Sequence, residues 1–365
     1  MLNCGTKSVY IHIPFCLKKC AYCAFLSGFD LKFKNDYTSA LISEIKKFYN
    51  GEELETLYFG GGTPSLLDVS QLGEILSFFK FGKDFEITLE ANPKTLDLEK
   101  LKAIKDLGIN RISLGVQAFD DKLLKILERS HNLDDVYKTI ENIELAGFDN
   151  FSIDLMYGLP TQDIKNWQNN LKIAKETGAK HISLYGLKIE SGTKFNIDFP
   201  DDLPDDDTQA DMYDLAIEEL SSWQQYEFSN FAREEKYQSK HNMVYWKLLP
   251  YWGFGLGASG FVENKRYQNE VDFDKYIKNP TQEKNFEPQN EQNLLEEYIF
   301  LGFRKIQGIC TDEINKRFSI NFDEQYKKQL EKFLNSGHII KTDCGYRLSK
   351  KGILVSNSIF CEFLF

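Results

Sequence analysis

Short runs of apolar, β-favouring residues alternate along the chain with longer segments of helical periodicity. The runs Val9–Ile13, Thr56–Phe59, Phe85–Leu89, Arg111–Gly115, Phe151–Met156 and His181–Leu187 are mostly bounded by Gly, Pro or Asn. Buried strands of a parallel sheet have this character. Between them, Tyr37–Tyr49 carries Leu41, Ile45 and Phe48 on one helical face. Val69–Phe81, Leu98–Leu107, Asp120–Ala146 and Ile164–Thr177 read as further helices. Gly108, Gly147 and Gly178 stand where helices should stop, as residues that accept the left-handed conformation. Six β–α units in a row predict an α/β fold with a parallel sheet and right-handed crossovers. The unusual residues gather at the C-terminal ends of the strands: cysteines after the first, Gly60–Pro64 after the second, Glu90–Pro93 after the third. Barrel enzymes keep their chemistry there, so a barrel, or an open one, is expected over residues 1–265.

The pattern changes after about residue 265. Residues 266–293 read as a linker or exposed loop, since Asn279–Asn293 is polar and holds Pro280 and Pro288. Beyond it, Leu294–Arg304, Thr311–Phe318 and Glu324–Ser336 read as helices and Ile339–Leu348 as a small hairpin. Residues 294–365 are therefore expected to form an α+β accessory domain of winged-helix type. Such modules often bind DNA, but Thr311–Phe318 sets Lys316 and Arg317 against Asp312 and Glu313.

Composition narrows the function class. With 365 residues, 42% of them hydrophobic and 27% charged, the chain has the balance of a globular protein. A net charge of −11 argues against nucleic acid as a partner, because phosphate binding needs Lys and Arg. No run approaches the roughly 20 apolar residues of a membrane span. With no signal-peptide pattern, a reducing, cytoplasmic location is expected. The apolar end Ile359–Phe365 suits docking on its own domain, a partner subunit or a membrane surface, and Cys361 stands fifth from the end, where prenylation requires fourth.

The seven cysteines are Cys4, Cys16, Cys20, Cys23, Cys310, Cys344 and Cys361, an odd count that gives no secreted disulfide framework. Cys310, Cys344 and Cys361 are well spread and read as plain buried thiols. Cys16, Cys20 and Cys23 differ, forming C-x3-C-x2-C within Pro14–Phe25. Three thiolates on a short loop suit three irons of a [4Fe–4S] cluster and leave the fourth open. A structural zinc would want four protein ligands, and no fourth Cys or His follows at finger spacing. His12 alternates with Ile11 and Ile13 on the first strand and reads as a satisfied buried histidine; His131 and His181 read as structural. Gly60–Pro64 lacks the Gly-Lys-Ser/Thr of a P-loop, and its glycines allow backbone to approach a ligand closely. Gly255-Leu-Gly-Ala-Ser-Gly260 spells G-x-G-x-x-G without the strand–helix context of a dinucleotide site.

The cysteine spacing, at the end of a first strand and with an aromatic before the third Cys, resembles the radical S-adenosylmethionine (SAM) superfamily. The resemblance implies a TIM-like partial (β/α)6 barrel. It also implies that the open iron is chelated by the amino and carboxylate groups of SAM, and that the cluster's electron cleaves SAM. Over nearly the whole chain the sequence resembles the oxygen-independent coproporphyrinogen III oxidases and their relatives. The matching pieces are Tyr10–Cys16, Gly60–Pro64, Glu90–Pro93, Asn110–Gln117, Asp154–Pro160 and His181–Tyr185. By motif, the resemblance implies SAM contacts at Tyr22, Gly61, Gly62, Thr63, Glu90, Gln117, Arg129 and Asp154, with Tyr10 near the cluster and sulfonium. A carboxylate such as Glu90 or Asp154 can accept from an ammonium or ribose hydroxyls, and Arg129 can pair with a carboxylate.

The family has two branches: oxidases that decarboxylate propionates of coproporphyrinogen III, and haem chaperones that bind haem and deliver it to haem proteins. Three features resemble the chaperones. Phe25 stands where the oxidase pattern has a fourth Cys; the chain starts nine residues before Tyr10, without the oxidase extension; and His241-Asn242-Met-Val-Tyr245-Trp246 matches the chaperone motif H-N-x-x-Y-W. That motif has two readings. His241 gives a nitrogen to haem iron while Tyr245 and Trp246 pack on the porphyrin, or His241 and Asn242 brace a loop with Trp246 in the core. The expected cofactors are thus a [4Fe–4S] cluster and SAM, with haem as cargo. The expected partners are acceptor haem proteins and an electron donor such as a ferredoxin or flavodoxin.

Overall fold

The computed structural model describes residues 5–364; Met1–Cys4, with the first cysteine, and Phe365 lie outside the described residues. The first half of the chain alternates strand and helix: β1 (Ser8–Ile13), α1 (Lys34–Phe48), β2 (Glu53–Gly61), α2 (Val69–Leu76), β3 (Lys80–Ala91), α3 (Leu98–Asp106) and β4 (Arg111–Gln117). It continues with α4 (Asp121–Ile126), α5 (Leu133–Leu145), β5 (Phe151–Tyr157), α6 (Ile164–Glu176) and β6 (His181–Gly186). After α7 (Lys194–Ile197) and α8 (Asp206–Glu219) come short pieces: β7 (Gln224–Gln225), β8 (Asn230–Ala232), α9 (Lys240–Trp246) and β9 (Trp252–Phe254).

These strands form one sheet in the order β7-β8-β6-β5-β4-β3-β2-β1-β9. Neighbours from β1 to β6 are parallel, β9 runs parallel to β1, and β8 closes the other side antiparallel to β6. Two strands at the ends of that order have only one neighbour, so the barrel is open, as the sequence predicts for its first six strands. The alternation of each strand sorts its side chains. Val9, Ile11, Ile13, Leu57, Phe59, Ile87, Leu89, Ile112, Leu114, Ile153 and Leu155 belong to the main hydrophobic core. Ser8, Tyr10 and His12, Thr56 and Tyr58, Glu86, Thr88 and Glu90, Arg111 and Ser113, and Ser152 and Asp154 occupy the alternate positions and give the opposite, inner face a polar lining.

Two predicted helices differ in form. Val69–Phe81 stops at Leu76, and β3 begins already at Lys80. Asp120–Ala146 is two helices, because Glu128 takes a left-handed φ of 57° and Asn132 opens a new helix with a capping box. The break leaves Arg129 between the two helices, where its side chain reaches Cys20, Tyr22, Asn92 and Gly115.

The segment expected as linker is not wholly exposed. β10 (Ser259–Val262), β11 (Lys265–Gln268) and β12 (Glu287–Pro288) form a small antiparallel sheet, with α10 (Phe273–Lys278) between the last two. Lys284 reaches Glu44 of α1 at 2.6 Å, its side chain 3% exposed. The ammonium also lies 4.5 Å from the Tyr267 ring centre and 4.7 Å from that of Phe48. A buried ion pair inside an aromatic cage ties this stretch to the barrel. Gly255–Gly260 links β9 to β10 and opens no helix.

The accessory region comprises α11 (Glu291–Arg304), β13 (Ile309–Cys310), α12 (Thr311–Phe318), α13 (Phe322–Gln325), α14 (Lys327–Asn335), β14 (Ile339–Lys341), β15 (Gly345–Leu348), α15 (Lys350–Leu354) and α16 (Ser356–Cys361). The hairpin gains a third strand, in the order β13-β15-β14. That pairing sets Cys310 opposite Gly345 and joins Cys310 to Cys344 in a disulfide, so neither is a plain thiol; Cys361 is free and exposed, not buried. Ile359, Phe360 and Phe363 pack with Phe303, Tyr326 and Phe333, so the apolar tail docks on its own domain.

Candidate functional site

The loop after β1 crosses the mouth of the barrel and is pinned at several points. Gly28 N–H donates to Pro14 C=O at 2.9 Å, Ala21 N–H to Leu127 C=O at 3.1 Å, and Phe195 N–H to Ala21 C=O at 2.9 Å. His12 Nε2 meets Leu26 C=O at 2.8 Å, while its Nδ1 meets the Tyr10 hydroxyl at 3.0 Å, so both ring nitrogens are satisfied. Cys16, Cys20 and Cys23 are free, half-buried thiols on this loop. Burial raises the Cys23 pKa, with the neighbouring Cys20 and Cys16 adding to it.

Their surroundings suit a cluster. Thr63 Oγ1 lies 3.6 Å from Cys16 Sγ, and Arg129 Nη1 lies 3.4 Å from Cys20 Sγ, so donors and a positive charge face the sulfurs. Among the described residues no three His, Cys, Asp or Glu side chains are grouped to hold a single metal ion. Zinc needs its ligands about one point, whereas a cubane takes each thiolate on a different iron. Three free thiols on one loop, faced by donors and a positive charge, suit three irons of such a cubane.

The glycine segment leaves no room for side chains on the loop's inner side. A Cβ at Gly61, whose φ is 110°, would sit 2.6 Å from the His12 ring; one at Gly62 would sit 2.6 Å from Phe15 C=O and 3.0 Å from Cys16 Sγ. Gly62 N–H donates to Ile13 C=O and Thr63 N–H to Phe15 C=O, at 2.8 and 2.7 Å.

Around this loop the predicted SAM contacts converge. Glu90 accepts from Tyr58 Oη at 2.7 Å and from Gly61 N–H at 3.2 Å. Burial pushes its pKa up to about 7, and burial also raises that of Asp154, whose carboxylate accepts from Ser113. Carboxylates so desolvated favour a cationic partner such as an ammonium. Arg129 donates to Gly115 C=O at 2.6 Å, to Tyr22 Oη at 3.3 Å and to Asn92 Oδ1. Gln117, with φ of 70°, sits at a bulge between β4 and β5, and its amide shares the space over Gly115 with Arg129. Tyr10 stacks beside Tyr58, with ring centres 6.3 Å apart. A small pocket between Cys20, Thr63, Asn92, Thr95, Arg129 and Ser130 opens beside the loop. Asn92 bridges Thr63 and Arg129, a role its place in Glu90–Pro93 did not disclose.

The chaperone motif lies elsewhere. Thr56 precedes Gly61 by five positions on β2, about 16 Å at 3.3 Å per residue, and His241 of α9 sits on Thr56. Its Nδ1 is 2.8 Å from Thr56 Oγ1 and its Nε2 2.8 Å from Tyr245 Oη, while its ring stacks on Tyr58. Burial, then the Arg111 charge, lowers its pKa to about 3, so the imidazole is neutral. Asn242 N–H donates to the capping Ser239 hydroxyl, and Trp246 lies under the Arg304 guanidinium at 4.9 Å. Both ring nitrogens of His241 are thus hydrogen-bonded, whereas Trp246 is half-buried with its Nε1 unpartnered among the described residues; coordination by His241 would require one of its hydrogen bonds to open.

A family model described as the radical SAM superfamily matches residues 10–182, and one described as the HemN C-terminal domain matches residues 289–355. Proteins named heme chaperone HemW from Lactococcus lactis, Bacillus subtilis and Escherichia coli are 36%, 35% and 32% identical to this chain. The matches cover 98%, 98% and 100% of this chain and 97%, 99% and 100% of theirs. The chain belongs to the HemW family of radical SAM proteins. Membership of the superfamily implies a [4Fe–4S] cluster and SAM. The solved structure of E. coli coproporphyrinogen III oxidase (HemN), described as a radical SAM enzyme, has a TM-score of 0.84 over 98% of this chain and 89% of that one. At 22% identity it shares the fold. No helix among the described residues is long and apolar enough to cross a membrane.

Proposed function

We propose that the protein is a haem chaperone that binds haem and delivers it to acceptor haem proteins. In this reading Cys16, Cys20 and Cys23 hold a [4Fe–4S] cluster and SAM occupies the mouth of the barrel. The observation that carries the proposal is the end-to-end match to proteins named heme chaperone HemW, which spans both the barrel and the accessory region. Phe25, where the oxidase pattern has a fourth cysteine, is 67% exposed and supports the same branch.

When bound, the cluster supplies an electron able to cleave SAM. The chain's own residues bind and orient. Arg129, held by Gly115, Tyr22 and Asn92, would pair its guanidinium with the SAM carboxylate. Glu90 and Asp154 would accept from the ammonium and the ribose hydroxyls. Gly61, Gly62 and Thr63 would let backbone come close to the ligand, and Tyr22, Gln117 and Tyr10 would contact it from the surrounding strands and loop. His241 on Thr56 and Trp246 under Arg304 would tie the barrel to the accessory region, with Asn242 and Tyr245 completing the motif between them. The reading includes a cytoplasmic location and an electron donor such as a ferredoxin or flavodoxin, with no role for nucleic acid.

An anaerobic assay of the reconstituted protein with coproporphyrinogen III, SAM and reductant tests this against the oxidase alternative. No protoporphyrinogen should form; its formation at a catalytic rate would replace the chaperone with an oxidase.

A further inference from the structure

Arg111 begins β4 on the inner face of the barrel and is 2% exposed. Among the described residues its guanidinium makes no hydrogen bond and no ion pair, and its Nε is buried without a partner. Thr88, its register neighbour on β3, has an orphaned hydroxyl, and His181 on the same lining has an orphaned Nδ1. The neighbouring carboxylates are already occupied. Glu86 accepts the N–H groups of Lys240 and His241, both at 3.1 Å, Glu90 accepts from Tyr58 and Gly61, and Asp154 from Ser113. Arg111 still acts on this space electrostatically, favouring the charged forms of Glu90 and Asp154 and the neutral forms of His181 and His241.

A buried guanidinium with no anion in contact is costly, and its planar fork matches a carboxylate. The SAM carboxylate is a poor candidate. Arg129, which serves the cluster end, bonds Gly115, four positions along β4 from Arg111, about 13 Å at 3.3 Å per residue. One carboxylate cannot engage both ends. We propose that Arg111 anchors a second carboxylate in the barrel interior, and that this carboxylate is a propionate of the haem cargo. The assignment rests on the chaperone reading and adds to it where the cargo's acidic edge is held.

The test compares wild-type protein, Arg111→Gln and Arg111→Lys in titrations with haem, haem dimethyl ester, SAM and decarboxylated SAM. Arg111→Gln should weaken haem at least tenfold, leave the dimethyl ester and both SAM forms unchanged, and melt no lower than wild type without ligand. Arg111→Lys, which keeps the charge but loses the fork, should fall between and serves if Arg111→Gln does not fold. Equal effects on haem and its ester, or none on either, would overturn the proposal while the chaperone reading stands. A loss confined to SAM and absent for its decarboxylated form would assign the carboxylate to SAM and overturn it likewise. No haem binding by wild-type protein would overturn both.

Discussion

Thr56 Oγ1 lies 2.8 Å from Nδ1 of His241, which pins a helix from late in the chain to the inner face of an early strand. Because Tyr245 takes the other nitrogen, His241→Ala would leave two buried hydroxyls short of a partner. A loss of about 1–3 kcal/mol in folding stability is expected. If the brace is the motif's role, the haem spectrum of the variant should match that of wild type. Urea unfolding and a haem titration on the same sample check both, and a changed haem spectrum at unchanged stability would make His241 a ligand.

The cluster loop gives a second expectation. Changing Cys16, Cys20 and Cys23 to Ala should abolish bound iron and the broad visible absorption of thiolate-ligated iron. Gly62→Ala should lower iron content with all three thiols present, because the added methyl would sit 3.0 Å from Cys16 Sγ and 2.6 Å from Phe15 C=O. Iron analysis after anaerobic reconstitution reads both, and wild-type iron content in the triple variant would exclude this loop as the site.

Buried histidines and a buried carboxylate pull stability in opposite directions on the acid side of neutrality. Burial lowers the pKa of His131 to about 4 and of His241 to about 3, so the native state holds fewer protons than the unfolded one below the ordinary histidine value of 6.5. Stability from these groups is present above 6.5 and is lost as pH falls toward their folded values. Glu90 works in the opposite sense: its folded pKa of about 7 exceeds the ordinary 4.5, so its contribution is lost as pH rises from 4.5 through 7. In ligand-free protein, His131→Gln should lessen the loss of stability as pH falls from 6.5 toward 4, and Glu90→Gln should lessen the loss as pH rises from 4.5 to 7. Each change is at most about 1.4 kcal/mol per pH unit per group. Unfolding midpoints across pH check this, and parallel curves for the variants and wild type would refute it.

The Cys310–Cys344 bond closes a loop of sequence separation 34 in the accessory region. Chain-entropy arguments give such a link about 3–4 kcal/mol. Cys310→Ser, or reductant, should lower the melting temperature of the accessory region. Iron content should not change, since the cluster thiols lie on a different core. Calorimetry with and without reductant would show an unshifted transition if the bond contributes nothing.

These features were unequally legible in the sequence. Strands β1–β6 show because each buries one whole face under helices, which prints apolar residues at every second position. β7, β8 and β9 span two or three residues and carry no period to detect. Arg129 looked helical because Asp120–Ala146 keeps its apolar spacing across a break made by one backbone angle, the positive φ of Glu128. Lys284 sits in a polar stretch, and only the fold brings Glu44, Phe48 and Tyr267 around it. The disulfide depends on the register of β13 with β15, which local composition does not encode. The three cluster cysteines and the glycines after β2 were legible because their chemistry is local in sequence.

The central claim is that this chain carries haem. Its most direct test is transfer: the reconstituted protein is loaded with one equivalent of haem, separated from free haem, and mixed with an apo haem protein while the Soret bands are followed. Loading should shift the Soret band, and that band should give way to the acceptor's faster than it does from free haem. No stable haem complex, or no transfer from one, would contradict the claim.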